Sequence, residues 1–130
     1  MKNQNPQLNQ LIKEYYDYAK QQLGFNTPAR CVLRHDAQNS RDIFGKTAYY
    51  EPDTKTVVLY VTDRHPKDLM RSFSHELVHH AQNDRGDLSN MGYISQGYAQ
   101  GNKHLRKMEM EAYLKGNMLF RDWEDSKKNG

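Results

Sequence analysis

The fold and the candidate site both depend on residues 68–82, DLMRSFSHELVHHAQ. Apolar residues recur there at steps of three and four, which is the period of an amphipathic α-helix. Pro66 stands where a first helical turn accepts proline, and Asp63 is available as the cap. Gly86 is a typical stop signal. We therefore predict a long helix that begins near Pro66 and ends before Gly86.

The residues before this helix predict a second helix and a small sheet. A stripe of apolar residues at helical spacing covers 8–23, and residues 30–34 suit a short strand. Residues 46–50 and 56–62 flank a turn that contains Pro and Asp, so they predict a β-hairpin. Together these segments predict an N-terminal helix and a sheet of three or four strands.

The residues after the central helix predict a long loop and a last helix. Residues 86–102 are rich in Gly, Ser, Asn and Gln, and a loop of that length usually has a function. A helical stripe runs from 103 to about 123, with a weak point at Gly116 and a tail, 126–130, that is expected to fray. The fold class is therefore α+β, with residues 1–130 as one domain and an ordered core at about 8–125.

Composition excludes several classes of protein. A chain of 130 residues with 36% apolar positions suits a single domain with one modest core. Nineteen basic and 16 acidic residues leave a net charge of only +3, so nucleic acid is not an expected partner. No apolar run is long enough to span a membrane, and the first residues lack the apolar segment of a signal peptide. A cytoplasmic location is expected, in the host cytoplasm if the chain is phage-encoded.

The central helix carries the sequence His75-Glu76-Leu77-Val78-His79. A step of four residues places both imidazoles on one face, one turn apart, where they can hold a single zinc ion. Glu76 lies about 100° around the helix from His75, beside the metal, where its carboxylate can reach a metal-bound water. Such a carboxylate can accept the proton of that water and pass it to a leaving amine. The alternative to a metal site is a helix face on which two histidines and a solvated Glu have no functional role.

A catalytic zinc normally has three protein ligands, so a third ligand must come from elsewhere in the chain. The candidates are His35, His65, His80, His104, Glu109 and Glu111. We favour Glu111, because it borders the apolar stripe of the last helix and because the small Ala112 beside it allows close helix packing. Glu109 is the alternative, either as the ligand or as a hydrogen-bond acceptor from a ligand histidine.

These residues resemble the zincin metallopeptidases, and within them the gluzincin-like branch. The resemblance is carried by residues 75–82, HELVHHAQ, and 109–112, EMEA. The second piece is similar to the Glu-x-Glu-Ala signature of small bacterial and phage-type zincins, in which the Glu before Ala is the ligand. The resemblance implies hydrolysis of a peptide bond with one zinc ion per chain and Glu76 as general base and acid.

The resemblance also implies an edge strand that holds an extended substrate and a donor that stabilises the oxyanion. Residues 56–62 are the expected edge strand. His104 is a candidate oxyanion donor, because it precedes Glu111 by two helical turns on the same face. Further candidates are three tyrosines, at positions 93, 98 and 113.

Two other functions remain open from the sequence. The chain would be a binding or assembly module if its zinc tied two helices together without catalysis. A DNA-associated protease of the SprT-like kind would use His104 as the third ligand and would bind in a salt-dependent manner. The leading hypothesis has a protein or peptide as substrate and no membrane partner. A cytoplasmic peptidase also has to be restrained by narrow specificity, a regulatory partner protein or a closed loop, for which 92–101 is the candidate.

Overall fold

The computed structural model describes residues 6–36, 47–88 and 103–129. The elements in chain order are helix α1 (Pro6–Leu23), strands β1 (Arg30–Arg34), β2 (Ala48–Glu51) and β3 (Thr56–Tyr60), helix α2 (Pro66–Asp84) and helix α3 (Lys103–Asn129). The predicted α+β class and the β2–β3 hairpin are confirmed. The loop predicted at 86–102, with its candidate gating segment, lies outside the described residues from position 89 onward.

The three strands form one mixed sheet in the order β1-β3-β2. Strand β3 pairs in parallel with β1, with Val58 opposite Val32, and antiparallel with β2, with Val58 opposite Tyr49. The prediction that 56–62 forms an edge strand is therefore wrong, because β3 is the central strand. All of its first four residues are buried, and such continuous burial is typical of a strand covered on both sides.

Helix α2 begins differently from the sequence prediction. His65 is the N-cap, and its Nδ1 accepts a hydrogen bond of 3.1 Å from the backbone N–H of Lys67. Asp63 does not take this part and has a φ of 57°. Pro66 occupies the first turn as predicted, where its missing N–H removes a donor that would otherwise lack a helical partner.

Helix α3 is longer than its apolar stripe predicted. It continues through Gly116 and on to Asn129, so neither the weak point nor the frayed tail is observed within the described residues. The last turns are held against α1, because Lys127 Nζ lies 2.6 Å from Glu14 Oε1 and 4.7 Å from the centre of the Trp123 ring.

Helix α2 is the central element of the core, since it contacts α1, α3, β2 and β3. Ser74 joins all three helices: it accepts a hydrogen bond from the buried Tyr15 hydroxyl and donates one of 2.7 Å to the carbonyl of Gly116. The larger buried apolar side chains around α2 include Tyr15, Tyr50, Leu59, Met70, Phe73, Leu77, Phe120 and Trp123. Within the described ranges, no helix has the length and apolar character needed to cross a membrane.

Candidate metal centre

Helix α2 presents His75 and His79 as neighbours on one face. Their ring centres are 5.1 Å apart, and the rings are nearly perpendicular. The side chain of His79 is 1% exposed, whereas that of His75 is 25% exposed. The pair therefore has an inner and an outer member, and the site opens to solvent on the side of His75.

The third member of the cluster is Glu109 of α3. Its Oε1 lies 3.1 Å from His75 Nε2 and is also in hydrogen-bond contact with His79 Nε2. One ligand atom from each of the three residues can be chosen so that all lie within 4.8 Å of one another. The structure thus brings two imidazole nitrogens and one carboxylate oxygen to a common point.

The structure reverses the order of the two candidate carboxylates. Glu111, the favoured third ligand, lies away from the imidazoles and accepts hydrogen bonds from Gln82 at 2.7 Å and Arg85 at 3.0 Å. Residues two positions apart in a helix point in directions about 200° apart, so Glu109 and Glu111 cannot both face α2 in the same way. Glu109 follows Leu105 by four residues and precedes Ala112 by three, which places it on the buried face of α3.

Close packing between α2 and α3 brings Glu109 within reach of the histidines. The two helices run antiparallel, and a Cβ on Gly116 would lie only 3.0 Å from the Cα of His75. Gly116 is two helical turns beyond Glu109 on the same face, so the backbone contact at Gly116 sets the distance between Glu109 and α2. Ala112, between them, is fully buried and small enough to allow the same approach.

Glu76 lies beside the cluster in a buried position. It is 8% exposed, and burial raises the pKa of its carboxyl. The charges of His79 and His75 act to lower this pKa, while the charge of Glu109 acts to raise it. A carboxyl with a raised pKa is better matched to proton transfer near neutral pH than a solvated one.

The pKa values of Glu109 and His79 are shifted in opposite directions. Burial would raise the pKa of Glu109, but the hydrogen bonds from His75 and His79 outweigh it and lower this pKa to about 2. Burial likewise acts to lower the pKa of His79, but the hydrogen bond to Glu109 and the charges of Glu76 and Glu109 raise it. Both shifts favour the charged form of each group, so the contact between Glu109 and His79 favours an anionic carboxylate beside a cation.

The hydrogen bond at the other ring nitrogen of His79, Nδ1, determines which nitrogen of this ring carries a proton. His79 Nδ1 lies 2.8 Å from Gln82 Oε1, while the Gln82 amide nitrogen donates to Met108 O at 2.9 Å and to Glu111. The Gln82 oxygen therefore faces His79 as an acceptor, and Nδ1 must carry a proton. In a neutral ring this leaves a lone pair on Nε2 aimed at the Glu109 anion, so a proton or a metal ion must lie between them.

The three residues fit zinc in donor type, and their ligand atoms lie within 4.8 Å of one another. Two imidazole nitrogens and one Glu oxygen form one of the common catalytic zinc sets, which leaves a fourth position open. Ligand atoms at about 2.0–2.1 Å from a tetrahedral zinc lie roughly 3.3 Å apart. The His75–Glu109 separation of 3.1 Å is close to that value, whereas the shorter His79–Glu109 contact would have to widen to hold the ion.

The remaining predicted candidates lie elsewhere. His104 Nε2 donates to the carbonyl of Asp87 at 2.7 Å, about 140° around α3 from Glu109, so the structure does not bring it to the cluster. His80 is buried between Tyr50 and the carbonyl of Thr27, where burial lowers its pKa and both ring nitrogens have partners. Tyr113 is 61% exposed. Tyr93 and Tyr98 lie outside the described residues.

Sequence reasoning gave Gln82 no role at the site. The available signals were its position three residues after His79, which puts both side chains on one helix face, and a polar residue at the end of an apolar helical stripe. Comparisons with protein-family models, curated proteins and solved structures gave no match for this chain.

Proposed function

We propose that this chain is a zinc-dependent peptidase with His75, His79 and Glu109 as the metal ligands and Glu76 as the general base. The observation that carries the proposal is the shared contact of two imidazole Nε2 atoms with one carboxylate oxygen, next to a buried fourth side chain that is itself a carboxylate. A purely structural metal site has no use for that extra carboxylate. The sequence His-Glu-x-x-His is typical of zinc hydrolases for the same reason.

The bound zinc would supply Lewis acidity and bring the pKa of a coordinated water toward neutrality. The chain's own residues supply the remaining chemistry. The Glu76 carboxylate accepts a proton from the attacking water and delivers it to the leaving amine nitrogen. Its burial supports this role, because burial raises the pKa of the Glu76 carboxyl and so makes the group a stronger proton acceptor than a solvated carboxylate.

A substrate would approach from the side of His75 and Glu109. These two side chains are 25% and 21% exposed, whereas His79 is 1% exposed. An extended polypeptide is the proposed substrate class, in line with the peptide-bond chemistry of the residues. The location that we propose is the cytoplasm, and a partner protein that restrains the activity is part of the same hypothesis.

The test combines zinc content and hydrolysis. Purified wild-type chain and the variants Glu76→Gln and Glu124→Gln would be loaded with zinc, measured by elemental analysis and incubated with an unfolded protein whose fragments are read by mass spectrometry. Glu124 is the matched control, because it lies on α3 and pairs with Lys67 on the surface. We expect one zinc per chain in all three proteins and fragments with all but Glu76→Gln.

Two results would contradict the proposal in different ways. If the wild-type chain binds no zinc, the proposed metal centre is wrong. One zinc per chain without cleavage of unfolded proteins or peptide libraries would instead favour the non-catalytic module, in which the metal only links α2 to α3. Binding of DNA that weakens steeply with salt would favour the DNA-associated protease.

A further inference from the structure

Gln82 is a fully buried amide whose hydrogen-bonding capacity is completely used on the donor side. It is 0% exposed, and its amide nitrogen donates to Met108 O at 2.9 Å and to Glu111 Oε1 at 2.7 Å. A flipped amide would turn the oxygen toward two other acceptors. The side-chain orientation is therefore determined by α3, although Gln82 itself belongs to α2.

This orientation leaves one direction for the Gln82 oxygen. Oε1 lies 2.8 Å from His79 Nδ1, so the ring must donate from Nδ1 and present Nε2 toward Glu109. A ligand histidine needs this kind of acceptor behind it, because the acceptor fixes the tautomer and the ring plane. The affinity of a histidine-ligated zinc site depends strongly on such hydrogen bonds to the ligand rings.

Glu111 extends the arrangement by one step. It accepts from Gln82 and from Arg85 Nη2 at 3.0 Å, and Arg85 also binds Asp87 at 2.7 Å. The Glu111 carboxylate thus accepts hydrogen bonds from both Gln82 and Arg85, and these contacts hold the Gln82 amide in one orientation.

We infer that Gln82 is a positioning residue of the metal centre, and that the Arg85–Glu111 pair acts on the metal through Gln82 and His79. This inference rests on the proposed metal ligands but not on peptidase activity. It gives the downstream Glu-x-Glu pair two distinct parts: Glu109 contacts the imidazoles directly, and Glu111 orients one of them from behind.

The test measures zinc affinity by competition with a chromophoric chelator. Gln82→Met keeps the length of the side chain and removes the acceptor, so we expect its zinc affinity to fall roughly 10- to 100-fold. Asn83→Leu is the matched control. It removes a neighbouring α2 amide whose bonds go to Tyr50 and Pro52, away from the metal. We expect Asn83→Leu to lower the melting temperature while its zinc affinity stays within threefold of that of the wild type.

A spectroscopic measurement separates positioning from general stability. Long-range ¹H–¹⁵N correlation spectra of the zinc-loaded chain report which nitrogen of His79 carries the proton, and we expect Nδ1. An unchanged zinc affinity in Gln82→Met, an equal loss in Asn83→Leu, or a proton on Nε2 would overturn the role of Gln82 while leaving the metal centre intact. A wild-type chain that binds no zinc would overturn the metal centre and this role with it.

Discussion

At Glu109, one carboxylate oxygen contacts both imidazoles, whereas Glu111 two residues later contacts Gln82 and Arg85 instead. The two residues have the same chemistry, so helical phase alone assigns their parts. Counted from Leu105 at about 100° per residue, Glu109 lies near the centre of the buried face of α3, and Glu111 lies well to one side of it. That phase could be read from the sequence, and it outweighs the likeness to a Glu-x-Glu-Ala signature.

This assignment predicts unequal effects of Glu109→Gln and Glu111→Gln on zinc binding. Glu109→Gln removes the anionic ligand, so we expect zinc affinity to fall at least about 100-fold. Glu111→Gln keeps an acceptor oxygen for Gln82, so the loss should be about tenfold or less. Chelator competition measures both. A greater loss in Glu111→Gln than in Glu109→Gln would contradict the positions of the two side chains.

A second prediction at this scale concerns Asp84 and acid stability. The side-chain hydrogen bond from Thr27 and the backbone N–H of Asn26, at 3.0 Å, lower the pKa of Asp84. A lowered pKa stabilises the folded state above the unfolded value of about 3.9, and this contribution disappears as pH falls through the folded value. Asp84→Asn should therefore lower the melting temperature at pH 7 and have a smaller effect near pH 3. An equal difference at both pH values would exclude the linkage.

At the scale of elements, the crossing of α2 and α3 decides the site. Helical propensity favours replacing Gly116 by alanine by about 1 kcal/mol. The new Cβ, however, would lie 3.0 Å from His75 Cα and 3.1 Å from His75 N, both of them backbone atoms that cannot rotate away. Overpacking of this kind costs typically about 1–3 kcal/mol, so the clash outweighs the gain.

We therefore expect Gly116→Ala to lower both the melting temperature and the zinc affinity. Its matched control is Asn117→Ala, at the next, exposed position of α3, where only helical propensity changes. That variant should melt at or slightly above the wild-type temperature with normal zinc binding. A Gly116→Ala chain as stable as wild type and with unchanged zinc affinity would show that the helix contact does not set the site.

The sheet shows how pairing partners can override a sequence interpretation at the element scale. Residues 57–61 form a continuous apolar run, which is typical of a buried central strand rather than of a half-exposed edge. The parallel pairing with β1 completes that burial. The hairpin itself was predictable, because the turn between β2 and β3 is local, whereas the β1–β3 pairing joins segments more than 20 residues apart.

At the scale of the whole molecule, the proposed metal links two helices that are far apart in sequence. His75 and His79 belong to α2, and Glu109 belongs to α3. A ligand that binds only the folded chain stabilises it, by about 2.7 kcal/mol when free zinc is 100 times its Kd. For a chain of this size that corresponds to a rise in melting temperature on the order of 10 °C.

Thermal denaturation with and without zinc checks this coupling. We expect wild-type chain to melt at a higher temperature with zinc and to lose that increment when a chelator is added. Glu109→Gln should show a much smaller increment at the same zinc concentration. Equal increments in the two proteins would mean that zinc stabilises the chain from some other set of side chains.

The sequence by itself determined the local features of this protein: three helices from their apolar period, a hairpin from its turn, and a His-Glu-x-x-His helix with both imidazoles on one face. These features depend on residues a few positions apart, so periodicity and turn chemistry suffice. Only the tertiary structure decided the features that depend on long-range packing. The Gly116 contact between α2 and α3 brings Glu109 to the imidazoles, Gln82 lies behind His79, and β3 is central because β1 pairs with its free side. The physical reason is that each of these depends on which distant surfaces can be buried together, and no local period encodes that choice.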